Sequence, residues 1–214
     1  MKFANVLLFA TAAVAAPALV ERQQTTAVSV IVDAANGLNN TVQTSITEIN
    51  NIINSITNNV DAELTVLIQA QLTSNIRAIA TAITTATNST VGATTGLVNG
   101  TAGGLAQLTQ DDVAAIINAL KTIALAIDAI RKLIVTINTT LPAAIKKLVQ
   151  KEVSAVNAAI PLLVAPLSAF IVDLQASIAS GTTVTTNLVD VLKSIVDVLK
   201  TLIGSVGLGG LLGL

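Results

Sequence analysis

The sequence predicts an all-α protein, an elongated bundle of about five amphipathic helices. Large apolar residues recur in steps of three and four in five separate stretches, and no stretch alternates as a strand would. Three stretches keep a strict 3.5-residue repeat, which is typical of left-handed helix packing. With 214 residues, 52% of them hydrophobic, the chain can bury one core of ordinary size. Prolines and intervening loops favour a bundle within one chain over a coiled-coil oligomer.

The first two predicted helices lie in the N-terminal half of the chain. The first begins after Thr26 and the second near Asp61, whose carboxylate suits the positive end of a helix dipole. The second fades into a stretch rich in Gly, Thr and Ser, which predicts an exposed loop at about 86–108. The apolar faces are Val28, Ile31, Ala35, Leu38, Val42, Ser45, Ile49, Ile52 and Ile56, then Leu64, Leu67, Ile68, Leu72, Ile76, Ile79 and Ile83.

The third predicted helix has the most regular seam. "TQDD" at Thr109–Asp112 resembles a capping box with Asp in the usual Glu or Gln place. The adjacent carboxylates Asp111 and Asp112 suit a first turn, so we interpret them as caps and not as an acid–base pair. The seam is Val113, Ile116, Leu120, Ile123, Ile127, Ile130, Ile134, Ile137 and Leu141.

The fourth and fifth predicted helices complete the bundle. The fourth starts at Pro142, should break or kink at Pro161, and ends at Gly181. The fifth runs from about Thr183 to Ile203. Their apolar faces are Ile145, Val149, Val153, Val156, Ile160, Leu167, Phe170, Ile171 and Leu174, then Val184, Leu188, Val191, Ile195, Val198 and Leu202.

Three apolar residues of the third helix lie off its seam: Leu125, Leu133 and Val135. Packing against a second neighbouring helix would account for Leu133 and Val135, whereas Leu125 is harder to place, although scattered exposed leucines are common. The alternative is an apolar surface, or a gap between helices that accepts alkyl chains. The candidate apolar lining is therefore Ile116, Ile123, Ile130, Ile134, Leu125, Leu133 and Val135.

The chain termini suggest secretion. Residues 1–16 have a basic start, a short apolar run and the small-x-small site Ala13-Val14-Ala15, which predicts a secretory signal peptide. A propeptide-like or flexible segment (17–24), the bundle (25–203) and a Gly-rich apolar tail (204–214) follow. No membrane span is expected in the mature chain, because the prolines interrupt the uncharged stretch 153–172. Glycolipid attachment through the tail is a minor alternative.

Because a secreted chain passes through the compartment where N-glycosylation occurs, the four Asn-x-Ser/Thr sequons are candidate N-glycosylation sites. Two of them fall in the predicted loop at about 86–108 and are the better candidates. The four asparagines are Asn39, Asn88, Asn99 and Asn138, of which Asn88 and Asn99 lie in that loop.

The residue types present argue against an enzyme. The chain has no Cys and no His, which removes thiolate and imidazole metal ligands and the commonest general base. It has no Gly-x-Ser-x-Gly elbow and no phosphate-binding loop. The densest basic spot, Lys146, Lys147 and Lys151, lacks interleaved aromatics, so no nucleic-acid partner is expected. We expect no catalytic residue, cofactor or metal.

The chain combines a secretory leader of the fungal kind, a Val-, Ile- and Asn-rich helix, the segment "LTQDDVAAIINALKTIALAIDAI" and the basic segment "IKKLVQKEV". Together these features resemble the hydrophobic surface-binding protein A family. Fungal cell-wall galactomannoproteins belong with that family. The resemblance covers roughly residues 25–180 and rests on helix pattern and composition. It implies a secreted helical bundle that adsorbs to hydrophobic surfaces; some relatives hold fatty acids between helices and others recruit secreted esterases. It assigns no site residues.

Two non-catalytic hypotheses follow. The first is an extracellular or cell-wall protein that binds hydrophobic surfaces or fatty-acyl lipids, with a secreted esterase as a further partner that the resemblance implies. The second is a glycosylated structural mannoprotein of the cell wall without a small ligand, which the sequons and the apolar tail favour. An enzyme is the least favoured class.

Overall fold

Four long helices dominate the computed structural model. The model describes the backbone of residues 3–56 and 62–179 and some positions from 191 to 201, and side chains of 26–56, 66–178 and those later positions. No strand occurs in these ranges, so the all-α prediction is confirmed. The helices are α1 (Phe3–Ser55), α2 (Ala62–Val98), α3 (Gln110–Thr140) and α4 (Ala143–Ala179), with a 3-10 turn at Leu105–Gln107.

The helices form an elongated bundle around one core, which is aliphatic apart from Phe170. α1 packs along α2 on one side and α3 on the other, α2 packs along α4, and α3 and α4 hardly meet. The 37 residues of α2 extend over about 55 Å. The described positions of the predicted fifth helix are helical, with Ile195 buried in the core and Val191 packed against it. The rest of that predicted helix lies outside the described residues, as do the side chains of segments 1–16 and 17–24 and the tail 204–214.

α1 begins at Phe3 and not after Thr26 as predicted, and its core face follows the predicted stripe over most of the part whose side chains are described. Every member from Val28 to Ile49 is buried, including the hydroxyl-bearing Ser45. At the end of the helix Ile53 takes the buried place and Ile52 is only partly buried. The predicted face of α2 is confirmed from Ile68 to Ile83, but Leu67 is exposed.

The predicted loop at about 86–108 is wrong over its first half, because α2 continues to Val98. The helical phase of the core face persists beyond Ile83 through Ala86, Thr90, Thr94 and Leu97, all buried. The threonine hydroxyls are satisfied inside the helix: Thr90 Oγ1 donates to the Ala86 carbonyl and Thr94 Oγ1 to the Thr90 carbonyl, both at 2.7 Å. Threonine is thus tolerated on a buried helix face here.

The start of α3 confirms the predicted capping box. Thr109 Oγ1 accepts from the Asp112 backbone N–H at 3.2 Å, and Asp112 Oδ2 accepts from the Thr109 backbone N–H at 3.0 Å. Both carboxylates therefore lie on the first turn, as expected for caps. The predicted seam is buried at every position except Ile134, which is partly buried.

α4 is one continuous helix through Pro161 and Pro166. The sequence had predicted a break or a kink at Pro161. Each proline ring removes the N–H that would bond the carbonyl four residues earlier, here those of Asn157 and Leu162. The buried residues Ile160, Leu163, Val164 and Leu167 surround the two prolines. This packing compensates for the two missing hydrogen bonds and keeps the helix continuous.

Candidate binding groove

An open groove of about 900 Å³ runs along the solvent side of α1 and α2. A volume of this size lies within the usual range for small-molecule sites. Most of the lining is apolar and most of the side chains are small. The lining residues, which define the α1–α2 groove, are Val30, Asp33, Ala34, Gly37, Leu38 and Thr41 on α1, and Ala70, Thr73, Ser74, Arg77, Ala78, Thr81, Ala82, Thr85, Ala86 and Ser89 on α2.

Small residues on the outer faces of the two helices create this groove. Leu38 and Ala86 are buried and form its floor, and the exposed or partly exposed residues around them are mainly Ala, Ser and Thr. At Gly37 a Cβ atom would meet nothing within 4 Å, so this position is open. The groove therefore results from missing side-chain volume and not from a gap between separated helices.

The groove contains few charges. Asp33 comes from α1, and Arg77 from α2 is the only basic residue between positions 23 and 112. Arg77 Nη2 lies 3.2 Å from Glu152 Oε1 of α4, and the Arg77 side chain is largely exposed. The Glu152 side chain is mostly buried, but solvent around the exposed Arg77 side chain screens the pair and limits its contribution to stability. Its geometric effect is to hold the guanidinium at one edge of the groove, where further N–H donors stay available to an acidic group.

A second hollow, of about 560 Å³, lies between α3 and the described helical positions from 191 to 201, which we call the later segment. Charged side chains from both elements surround it, among them Asp128 and Arg131 of α3 and Lys193 and Asp197 of the later segment. Four of its seven lining side chains are charged, and Val198 is the single large apolar side chain among the described residues that line it.

The structure does not bring the predicted apolar lining together. Ile116, Ile123 and Ile130 are fully buried in the core, Leu133 is buried, and Ile134 is partly buried. Leu125 and Val135 are exposed to solvent. None of these side chains lines the α1–α2 groove. The signal for the groove was a stripe of small residues in α2, including Ala70, Ser74, Ala78, Thr81 and Thr85, which apolar periodicity does not detect.

The four candidate glycosylation asparagines lie in different settings. Asn99 is exposed in the turn after α2, and Asn88 is exposed within α2 and not in a loop. Asn39 in α1 and Asn138 near the end of α3 are partly buried, and the Asn138 carbonyl accepts from Lys146 Nζ at 3.0 Å. The exposed pair Asn88 and Asn99 is therefore the more accessible one.

Two further features bear on the kind of site. In the part of the chain that the structure describes, no three His, Cys, Asp or Glu side chains group as metal ligands would. Gln110–Thr140 and Ala143–Ile178 are long and apolar enough to cross a bilayer, but core helices of a soluble protein meet the same criterion. About half of each apolar window is buried inside the bundle (56% and 44%).

No protein-family model, curated protein or solved structure matches this chain. The resemblance to the hydrophobic surface-binding protein A family therefore stays a prediction from helix pattern and composition.

Proposed function

We propose that the protein is a secreted, non-catalytic helical bundle that binds apolar material, and that the α1–α2 groove accepts a fatty-acyl chain. The observation that supports this most directly is the groove itself: about 900 Å³, mostly apolar, and lined by small side chains that leave room for an alkyl chain. Arg77 at its edge would interact with an acidic head group. Adsorption to hydrophobic surfaces, and a secreted esterase as partner, belong to the same proposal as extensions.

The groove can be tested by filling it without disturbing the fold. Gly37→Leu adds a side chain where a Cβ meets open space, and it replaces glycine by a better helix former. Gly92→Leu is the matched control, because Gly92 is also helical and open but lies outside the groove lining. We expect Gly37→Leu to weaken binding of a fluorescent fatty acid at least tenfold, and Gly92→Leu to leave it unchanged.

Two outcomes would reject the carrier proposal. The first is wild-type protein that binds no fluorescent fatty acid and yields no lipid to mass spectrometry after organic extraction. The second is equal affinity in both leucine variants, which would place any binding elsewhere. Adsorption is measured separately, by depletion of the protein on polyester or wax particles against a charge-matched helical bundle.

A structural cell-wall glycoprotein is the second candidate function. It is favoured by the exposure of Asn88 and Asn99, whose glycans would extend from one end of α2 into solvent. Covalent retention of the protein in the wall after detergent extraction would support this candidate. Complete release into the medium would count against it.

A further inference from the structure

The solvent side of α4 carries a second heptad seam. The core side of this helix has a buried 3-4 repeat that includes Val149, Val153, Val156 and Ile160. On the opposite side another set of apolar residues is spaced 3, 4, 3, 4 and 3, and all of its members are exposed. This outward seam consists of Ala155, Ala158, Leu162, Ala165, Ala169 and Val172.

The outward seam is uncharged over its whole length. No Asp, Glu, Lys or Arg occurs between Glu152 and Asp173, and Leu162 at the centre is 67% exposed. A helix that is apolar on two opposite sides is suited to a position between two partners. The part of the chain that the structure describes covers only one of these sides.

The composition of the seam favours a helix as the missing partner over a lipid layer. Four of its six members are alanines, which bury little area in hydrocarbon but allow two helix axes to approach to about 8 Å. Pro166 also leaves the carbonyl of Leu162 without its intrahelical donor. In hydrocarbon this carbonyl would stay unsatisfied, whereas at the edge of a helix pair water can reach it.

We propose that the partner is α4 of a second copy of this chain, packed antiparallel against the outward seam. The twofold axis crosses the seam at its midpoint, level along the helix with Leu163 and Val164. In this register each large residue of the outward seam faces an alanine of the other copy. Leu162 faces Ala165, Val172 faces Ala155, and Ala158 faces Ala169. Such pairing of large with small residues fills the space between two closely spaced helices.

Charges at the two ends of the seam agree with the antiparallel direction. Lys151 is exposed four residues before Ala155, and Asp173 is exposed directly after Val172. An antiparallel pair places Lys151 near Asp173 of the second copy at both ends, whereas a parallel pair would place Lys151 beside Lys151. The third charge at the ends, Glu152, already pairs with Arg77 of its own copy.

The seam is small, so the dimer should be weak. Its 18 residues extend over about 26 Å of helix, which is short for a stable interface of about 800 Å² per partner. We therefore expect dissociation in the micromolar range or weaker. This inference is independent of the proposed ligand, because the α1–α2 groove lies on other helices.

The first test compares two equally exposed leucines. Leu162→Glu places a charge in the centre of the seam, and Leu125→Glu places the same charge on α3, where the side chain is 68% exposed against 67% for Leu162. In sedimentation equilibrium the wild-type protein should dimerise with rising concentration. Leu162→Glu should raise the dissociation constant at least tenfold, while Leu125→Glu should not change it. Circular dichroism checks that both variants stay folded.

The second test reads the direction of pairing by disulfide formation, which is simple because the chain has no cysteine. Ala158→Cys and Ala169→Cys should each stay unlinked alone, because in the antiparallel register like positions are about 16 Å apart and a disulfide needs Cα atoms within about 7 Å. A mixture of the two variants should form a cross-linked heterodimer.

Three results would overturn the proposal. One is a monomer up to millimolar concentration, and another is a dimer equally sensitive to both glutamate variants. The third is efficient cross-linking of Ala158→Cys with itself, which would indicate parallel pairing. A monomer whose adsorption to wax particles is lost in Leu162→Glu alone would assign the seam to an apolar surface instead.

Discussion

At the scale of single residues, Leu125 and Leu133 show that the position of a leucine on α3 decides whether its side chain is buried or exposed. Both are leucines of α3 that lie off its main seam, Leu125 on the side opposite the seam and Leu133 on its flank. In the structure Leu133 is 4% exposed whereas Leu125 is 68% exposed. The difference arises because neighbouring elements cover only some of the outer faces of α3. Ordinary packing therefore accounts for Leu133, and Leu125 remains available to solvent.

The two leucines predict very different costs of truncation. Leu133→Ala should lower the free energy of unfolding by about 2–5 kcal/mol, because it removes buried methyl groups and leaves a cavity. Leu125→Ala should change it by no more than about 0.5 kcal/mol, as is usual for an exposed position. Urea denaturation followed by circular dichroism measures both. Equal losses in the two variants would contradict the burial described here.

At the scale of one element, α2 shows how packing overrides weak helix propensity. Its C-terminal part, "TATNSTVGATTGLV", is rich in Thr and Gly, and these residues favour loops over helices. The segment is helical because Ala86, Thr90 and Leu97 continue the buried face against the other helices. Most helix stability in proteins comes from such tertiary burial and not from intrinsic propensity.

The two glycines of this segment should respond oppositely to alanine. Gly92→Ala should raise the free energy of unfolding by about 1 kcal/mol, because the new Cβ meets nothing within 4 Å and glycine is a poor helix former. At Gly96 the new Cβ would lie 3.2 Å from Ala102 Cβ, where the following turn folds back onto the helix.

In Gly96→Ala the crowding of that turn should cancel or reverse the helical gain. The backbone N–H of Ala102 donates to the Gly96 carbonyl at 2.9 Å, so the turn cannot move away without cost. Thermal unfolding of the two variants provides the comparison. A stabilisation in Gly96→Ala as large as that in Gly92→Ala would show that the turn is not packed as described.

At the scale of the whole molecule, the arrangement of the helices leaves α3 and α4 apart. α1 bridges α2 and α3, α2 bridges α1 and α4, and few contacts join α3 to α4. Ile195, from the segment predicted as the fifth helix, is buried in the shared core. The later segment therefore belongs to the bundle and is not an appendage.

This placement predicts that the later segment contributes to global stability. Ile195→Ala should lower the free energy of unfolding by about 2–4 kcal/mol, the usual cost for a buried isoleucine. Val198→Ala is the matched control on the same segment, because Val198 is exposed, and it should cost little. Chemical denaturation measures both, and a loss below about 0.5 kcal/mol for Ile195→Ala would mean that the segment is not docked in solution.

The sequence by itself determined the fold class, the capping box of α3 and most of the core faces of α1, α2, α3 and α4. These features depend on local chemistry: helical periodicity, a short-range hydrogen bond between Thr109 and Asp112, and a preference of aliphatic residues for burial. They can be read from neighbours within one or two turns, whatever the rest of the chain does.

Only the tertiary structure decided which outer faces have neighbours. It extended α2 through a Thr- and Gly-rich stretch, carried α4 through two prolines and buried Leu133 while exposing Val135. It also placed the groove on α1 and α2 and left the outward seam of α4 in solvent. The reason is physical: periodicity shows that a helix has an apolar face, but long-range packing determines what that face meets.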